Sequence, residues 1–209
     1  IFHTGWLRRW PFVSEAIAKV VPVESIRHVG YSHFEGDEAG AMNEFLAAAP
    51  NAVPFASRVG LMTSLDDYAD RSGRGLADGE EFSTGRKTWQ WIDTPHVPHG
   101  WDCGILFDKT TGTLLCGDLF TQPGAETPPV TESEILSASE TMRKPMDYYA
   151  HSTQTAAVLE RLAQLEPATL ACQHGSAFNG DGAALLRQLA GILDDERRRE
   201  MAGGGPRKA

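Results

Sequence analysis

Imidazoles and carboxylates recur in short polar loops, each directly after a stretch that reads as a β-strand. His33, Glu35 and Asp37, with Glu38 beside them, follow Ser25–Tyr31. His96 and His99 follow Lys87–Asp93. Asp118 follows Thr113–Cys116, and His174 follows Ala168–Cys172. Strand ends are where α/β sheets build their sites. Taken singly, each group has an ordinary role: a solvated turn, a helix cap, a helix-end turn. Taken together, four strand ends each delivering a histidine or a carboxylate predict a metal site. His33, Glu35 and Asp37 are spaced i, i+2, i+4 on a loop. The di-iron sites of helical bundles instead use Glu-x-x-His on helices.

The elements that must position these groups alternate. Helices are predicted over Pro11–Val20, Ala39–Ala49, Val59–Ala69, Glu132–Arg143, Thr153–Leu165 and Asp181–Arg199. Strands are predicted over Ser25–Tyr31, Ala52–Ala56, Glu81–Thr84, Lys87–Asp93, Gly104–Phe107, Thr113–Cys116 and Ala168–Cys172. Gly104–Phe107 and Thr113–Cys116 flank a turn ending at Gly112, which reads as a β-hairpin. Alternation argues for an α/β fold and the hairpin for a mixed sheet. Gly73–Gly79 reads as a turn. Residues 1–200 are read as a single domain and 201–209 as a flexible tail.

Composition narrows the function classes. The chain has 209 residues, 41% of them hydrophobic, enough for a proper core. A net charge of −9 disfavours nucleic acid as a partner. No apolar run approaches the roughly 18 residues of a membrane helix, so no membrane partner is expected. Three cysteines, Cys103, Cys116 and Cys172, form no C-x-x-C; they read as small buried residues of a cytoplasmic protein.

His33-Phe34-Glu35-Gly36-Asp37-Glu38, His99-Gly100-Trp101-Asp102, Asp118 and His174-Gly175 follow one another in an order that resembles the metallo-β-lactamase fold. More narrowly, they resemble its di-iron branch of flavodiiron and oxygen-binding di-iron proteins. The hydrolases of that fold read H-x-H-x-D-H in the first loop, and the di-iron branch reads H-x-E-x-D-H. The resemblance runs from about Phe2 to Gly175. It implies an αβ/βα sandwich with mixed sheets. It also implies strands ahead of Ile1–Gly5, in keeping with a chain that is a piece of something longer. Carried over by position, His33, Glu35 and His99 would hold one metal, Asp37 and His174 the other, and Asp118 would bridge them. Glu38 stands where the family has histidine. With Asp118 it is assigned to the reacting site.

The resemblance implies two iron ions, with manganese or zinc as substitutes. Glu35, Asp37 and Asp118 make the site oxygen-rich, which suits iron or manganese over zinc. No tightly bound flavin is expected, because no flavodoxin-like phosphate loop is present. The favoured activity is binding or reduction of O2 or NO, with electrons from a separate donor protein. A metal-dependent hydrolase of an ester, lactone or thioester is the alternative, and a non-catalytic oxygen sensor is a third reading. A homodimer is compatible with the sequence. His96 is read either as a donor near the ligands or as an exposed loop histidine. Asp102 either orients a ligand histidine or belongs to an ordinary turn. Trp101 is expected to pack, or to shield the site. His3, His28 and His151 are read as structural.

Overall fold

The computed structural model describes residues 1–203. They divide into two compact units. The first comprises Ile1–Phe82, Gln90–Pro95 and Gly100–Leu106; the second comprises Ser83–Trp89, His96–His99 and the chain from Phe107 onward.

In the first unit, helix α1 (Trp10–Ala18) precedes strand β1 (His28–Gly30). Two short helices, α2 (Gly36–Ala39) and α3 (Met42–Ala48), lead to β2 (Val53–Ser57). A helical stretch of α4 (Arg58–Gly60), a π-turn at Leu61–Leu65 and α5 (Asp66–Tyr68) leads to β3 (Arg74–Leu76). The strands pair in parallel in the order β1-β2-β3, with His28 opposite Val53 and Phe55 opposite Arg74. Helical crossovers are what parallel neighbours require. Val29, Tyr31, Met42, Phe45, Leu46 and Leu65 form the core beneath them. Ser57 Oγ accepts from Gly60 N at 2.8 Å and caps the start of α4.

The predicted helix over Ala39–Ala49 is broken at Gly40–Ala41. The Ala41 amide donates to Gly5 O at 3.0 Å and Thr4 Oγ1 at 3.1 Å, so the backbone is tied to the chain start instead of continuing the helix. Strand β3 lies inside the predicted turn. A side chain at Gly75 would meet Leu61 at 2.9 Å, so packing on the preceding helix selects a strand where glycines suggested none.

Later in the chain come β4 (Glu81–Ser83), β5 (Thr88–Asp93) and β6 (Gly104–Asp108). They are followed by β7 (Thr113–Gly117), β8 (Val130–Thr131), helices α6 (Leu136–Met146) and α7 (Thr155–Ala163), β9 (Thr169–Cys172), β10 (Ala177–Asn179) and α8 (Gly182–Gly203). The sheet order is β4-β5-β6-β7-β9-β10-β8. It is mixed, as expected: β7 and β9 are parallel, β9 and β10 antiparallel. Strands β8 and β10, of two and three residues, are too short for an alternating pattern and were not expected. In the second unit α7 packs on α8, burying Leu159, Leu162, Leu186 and Leu189. Helix α8 runs past the predicted end at Arg199 and takes in 201–203, which the sequence assigned to a tail. The rest of that tail, 204–209, lies outside the described residues.

The hairpin turn before β7 is held by Asp108. Its carboxylate accepts from Thr110 N at 3.0 Å and Thr111 Oγ1 at 2.6 Å, and it pairs with Lys87. Burial pushes this carboxyl up, but the bonds from Lys87, Thr111 and Thr110 outweigh it and bring the pKa to about 2.

Candidate metal centre

In the first unit the polar loop after β1 carries its ligand candidates. Ser32 and His33 are buried, Glu35 is exposed, Asp37 half-buried and Glu38 fully buried. The loop is pinned at three points. Gly104 N donates to Ser32 O at 2.9 Å, Phe34 N donates to Asp102 Oδ2 at 3.0 Å, and Ser57 Oγ donates to Asp102 O at 2.7 Å. Gly100, at φ +76°, lies against His33, where an added Cβ would stand 3.2 Å from that of the histidine. Asp37 and Glu38 open α2, and their carbonyls accept from Gly5 N and Thr4 N at 3.0 and 2.7 Å.

The hydrogen bonds behind His33 run in one consistent direction. His3 Nε2 accepts from Ser32 N at 3.3 Å, so that nitrogen carries a lone pair. Ser32 Oγ, 2.9 Å away, donates to it and accepts from His33 Nδ1 at 2.8 Å. This places a proton on His33 Nδ1 and leaves Nε2 as the nitrogen turned outward, as in a histidine that ligates through Nε2. That Nε2 faces Glu35 Oε1 at 3.5 Å.

In the second unit Asp118 stands just past β7 and faces two histidines, one with each oxygen. His99 Nε2 is 3.4 Å from Oδ2, and His174 Nε2 is 3.6 Å from Oδ1. These separations exceed ordinary N–H···O lengths. Two ligands about 2.1 Å from one ion at a tetrahedral angle are about 3.4 Å apart, so the donor set fits metal coordination. The backbone holds the arrangement. Gln173 N donates to Gly117 O at 3.1 Å and Gln122 N donates to His174 O at 3.0 Å. The Gln122 side chain donates to Phe120 O and Ser176 O at 3.2 and 3.0 Å and accepts from Ser176 N at 3.2 Å. Gly175, at φ +101°, allows this approach, since a Cβ there would lie 2.6 Å from that of Gln122. Tyr148 donates to Asp118 O at 3.2 Å and sets its ring edge against His99 at 5.7 Å. Burial, opposed by hydrogen bonding to Thr121, raises the Tyr148 phenol above its ordinary value and keeps it a donor.

A family model described as "ODP family beta lactamase" matches residues 1–175. The chain belongs to this family. Rubredoxin-oxygen oxidoreductase of Megalodesulfovibrio gigas is 27% identical over 173 residues, covering 78% of this chain and 42% of the relative. A flavo di-iron protein variant from Thermotoga maritima matches with a TM-score of 0.79 at 20% identity, over 91% of this chain and 49% of that one. The apo state of the chemotaxis sensor ODP from T. denticola matches with a TM-score of 0.72 at 19% identity, over 93% and 83% of the two chains. The fold is therefore the metallo-β-lactamase-like α/β fold of the di-iron proteins. The chain spans about two fifths of the curated relative it matches.

For this ODP-family chain several sequence expectations divide or change. The structure brings His33 to Glu35 in one unit, and His99 and His174 to Asp118 in the other. His96 is an exposed loop residue at φ +65°. Trp101 is 59% exposed and does not pack. Asp102 orients the backbone of the polar loop by accepting from Phe34 N. His3 and Ser32 act directly behind His33, and Gln122 and Tyr148 around Asp118. The sequence carries no signal for His3, Gln122 and Tyr148, whose partners are distant in the chain, and Ser32, though next to His33, has its direction fixed only by the distant His3.

Proposed function

We propose that this chain is a di-iron domain that binds or reduces O2, or NO, with electrons delivered by a separate protein. Its ligands are His33, Glu35 and His99 for one ion and Asp37 and His174 for the other, with Asp118 shared. The observation that carries this reading is the Asp118 carboxylate facing one histidine nitrogen with each oxygen. The hydrogen bond that anchors His33 through Nδ1 and turns Nε2 toward Glu35 supports it independently. Di-iron relatives and the family support iron over zinc. Two redox-active ions held by these residues would be able to supply one electron each to a small diatomic.

The protein's own residues set the conditions for that chemistry. Glu35, Asp37 and Asp118 contribute three negative charges that offset two divalent cations. Glu38, fully buried, contributes a fourth and limits access on its side. Ser32 holds the proton on His33 Nδ1. Tyr148 and Gln122 keep Asp118 and His174 in register. An oxygen-sensing role for the same site is favoured by the family and by the likeness to the chemotaxis sensor, which this chain covers over 83% of its length.

The test is to load the protein anaerobically with ferrous iron, add O2, and follow oxygen uptake and absorbance. A single uptake event without a donor, blocked in Asp118→Ala, is expected. Sustained turnover on adding a reductant marks a reductase, and a single event even with reductant marks a sensor. No reaction with O2 alongside hydrolysis of a lactone or thioester overturns both.

A further inference from the structure

Two thiols lie together in the second unit, outside the proposed ligand set. Cys116 is the penultimate residue of β7 and Cys172 the last of β9, and these strands are parallel neighbours. The register steps at a bulge, with Leu115 opposite Ala171 and Gly117 opposite Cys172. The extra residue in that bulge is Cys116, next to the position that pairs with Cys172. The environments differ. Cys116 is fully buried, whereas Cys172 is half-buried and reachable from solvent. Sγ of Cys116 also lies 3.4 Å from Leu114 O, and Sγ of Cys172 3.9 Å from Leu170 O.

We infer that Cys116 and Cys172 form a redox-active dithiol that closes to an intramolecular disulfide when a peroxide reaches the protein. Cys116 lies between two residues paired with Ala171 and Cys172 on the neighbouring parallel strand, which brings the two cysteine backbones within the span a disulfide bridges. The reaction runs in two steps. The Cys172 sulfur attacks one peroxide oxygen and the O–O bond breaks. Hydrogen peroxide then leaves a sulfenic acid on Cys172 and one water. Next the Cys116 sulfur attacks the Cys172 sulfur, the S–S bond forms, and the hydroxyl leaves as a second water with the Cys116 proton. Two thiols lose two electrons in total, and one peroxide gains them. Cys172, the half-buried residue of the two, meets the peroxide first, and the buried Cys116 follows.

The position gives the switch a reader. Cys116 stands two residues before Asp118 and Cys172 two before His174, with Gly117 and Gln173 between them. Closing the bridge draws together the two strand ends that carry these groups. The inference rests on the cysteine geometry and does not require the iron assignment.

The full-length reduced chain, stripped of metal with a chelator, is treated with one equivalent of hydrogen peroxide. Thiols are counted after denaturation and the intact mass is measured. Free thiols are expected to fall from three to one, with a mass loss of two hydrogens, reversed by dithiothreitol. Tryptic mapping should join the peptide holding Cys116 to the one holding Cys172. Cys103→Ser should retain the bridge. Cys116→Ser should instead trap a dimedone-reactive Cys172. Three thiols persisting after treatment, a bridge between two chains, or over-oxidation of Cys172 in the wild-type protein would each overturn the inference. The wild-type measurement decides the matter even if a variant fails to fold.

Discussion

The β6–β7 hairpin carries two aspartates, Asp108 closing β6 and Asp118 just past β7, and the two differ in what surrounds them. Asp108 and Asp118 are both buried, at 0% and 7% exposure. Asp108 accepts hydrogen bonds from two threonines and pairs with a lysine, all donors that satisfy a carboxylate and lock a turn. Asp118 faces two imidazoles at 3.4 and 3.6 Å, spacings suited to ligands of a shared ion. The same side chain therefore locks the hairpin turn at Asp108 and is proposed as a shared ligand at Asp118. Partners and distances separate the roles; burial does not.

The contrast is broken most severely by Asp118→Asn. Iron bound per chain is expected to fall from about two to one or none, by elemental analysis, while the metal-free protein keeps its melting temperature within a few degrees. Retention of two irons would make Asp118 another Asp108.

Asp108→Asn should give the opposite pattern: full iron content with stability lowered by about 1–2 kcal/mol at neutral pH. The folded pKa of Asp108, about 2, lies below its unfolded value of 3.8. Its contribution is thus present above about pH 4 and lost as pH falls toward 2. Urea melts across that range should show a steeper acid loss in the wild type than in the variant. Parallel pH curves would remove the structural role.

How legible the molecule was depends on the range of the contacts involved. The candidate segments stand out in the sequence because each places a chemically distinctive residue just after a strand, and their role as ligands is the proposal. The mixed sheet could be read because the hairpin and the helices have local signatures. His3 and Ser32 could not, because their bond joins residues 29 apart. Nor could Gln122, whose bonds to Ser176 span 54 residues. Strand β3 was hidden by its own glycines, which serve packing against Leu61 and not a turn. The role of His96 was left open by spacing, and the structure places it in solvent.

A smaller effect sharpens the comparison from the first unit. Ser32→Ala removes the acceptor that fixes the His33 proton on Nδ1, and should weaken binding at that ion by about 10–100-fold. Ferrous titration should then resolve one tight and one weakened site, and His3→Ala should show the same pattern more weakly. Equal affinities in Ser32→Ala and wild type would mean that the hydrogen-bond chain behind His33 does not tune the ligand.

The account stands most directly on the metal content of protein purified without added metal. Elemental analysis is predicted to give about two irons per chain and little zinc, with the iron reduced to one or none in Asp118→Ala. Stoichiometric zinc with negligible iron, or a single metal ion unaffected by loss of Asp118, would contradict it.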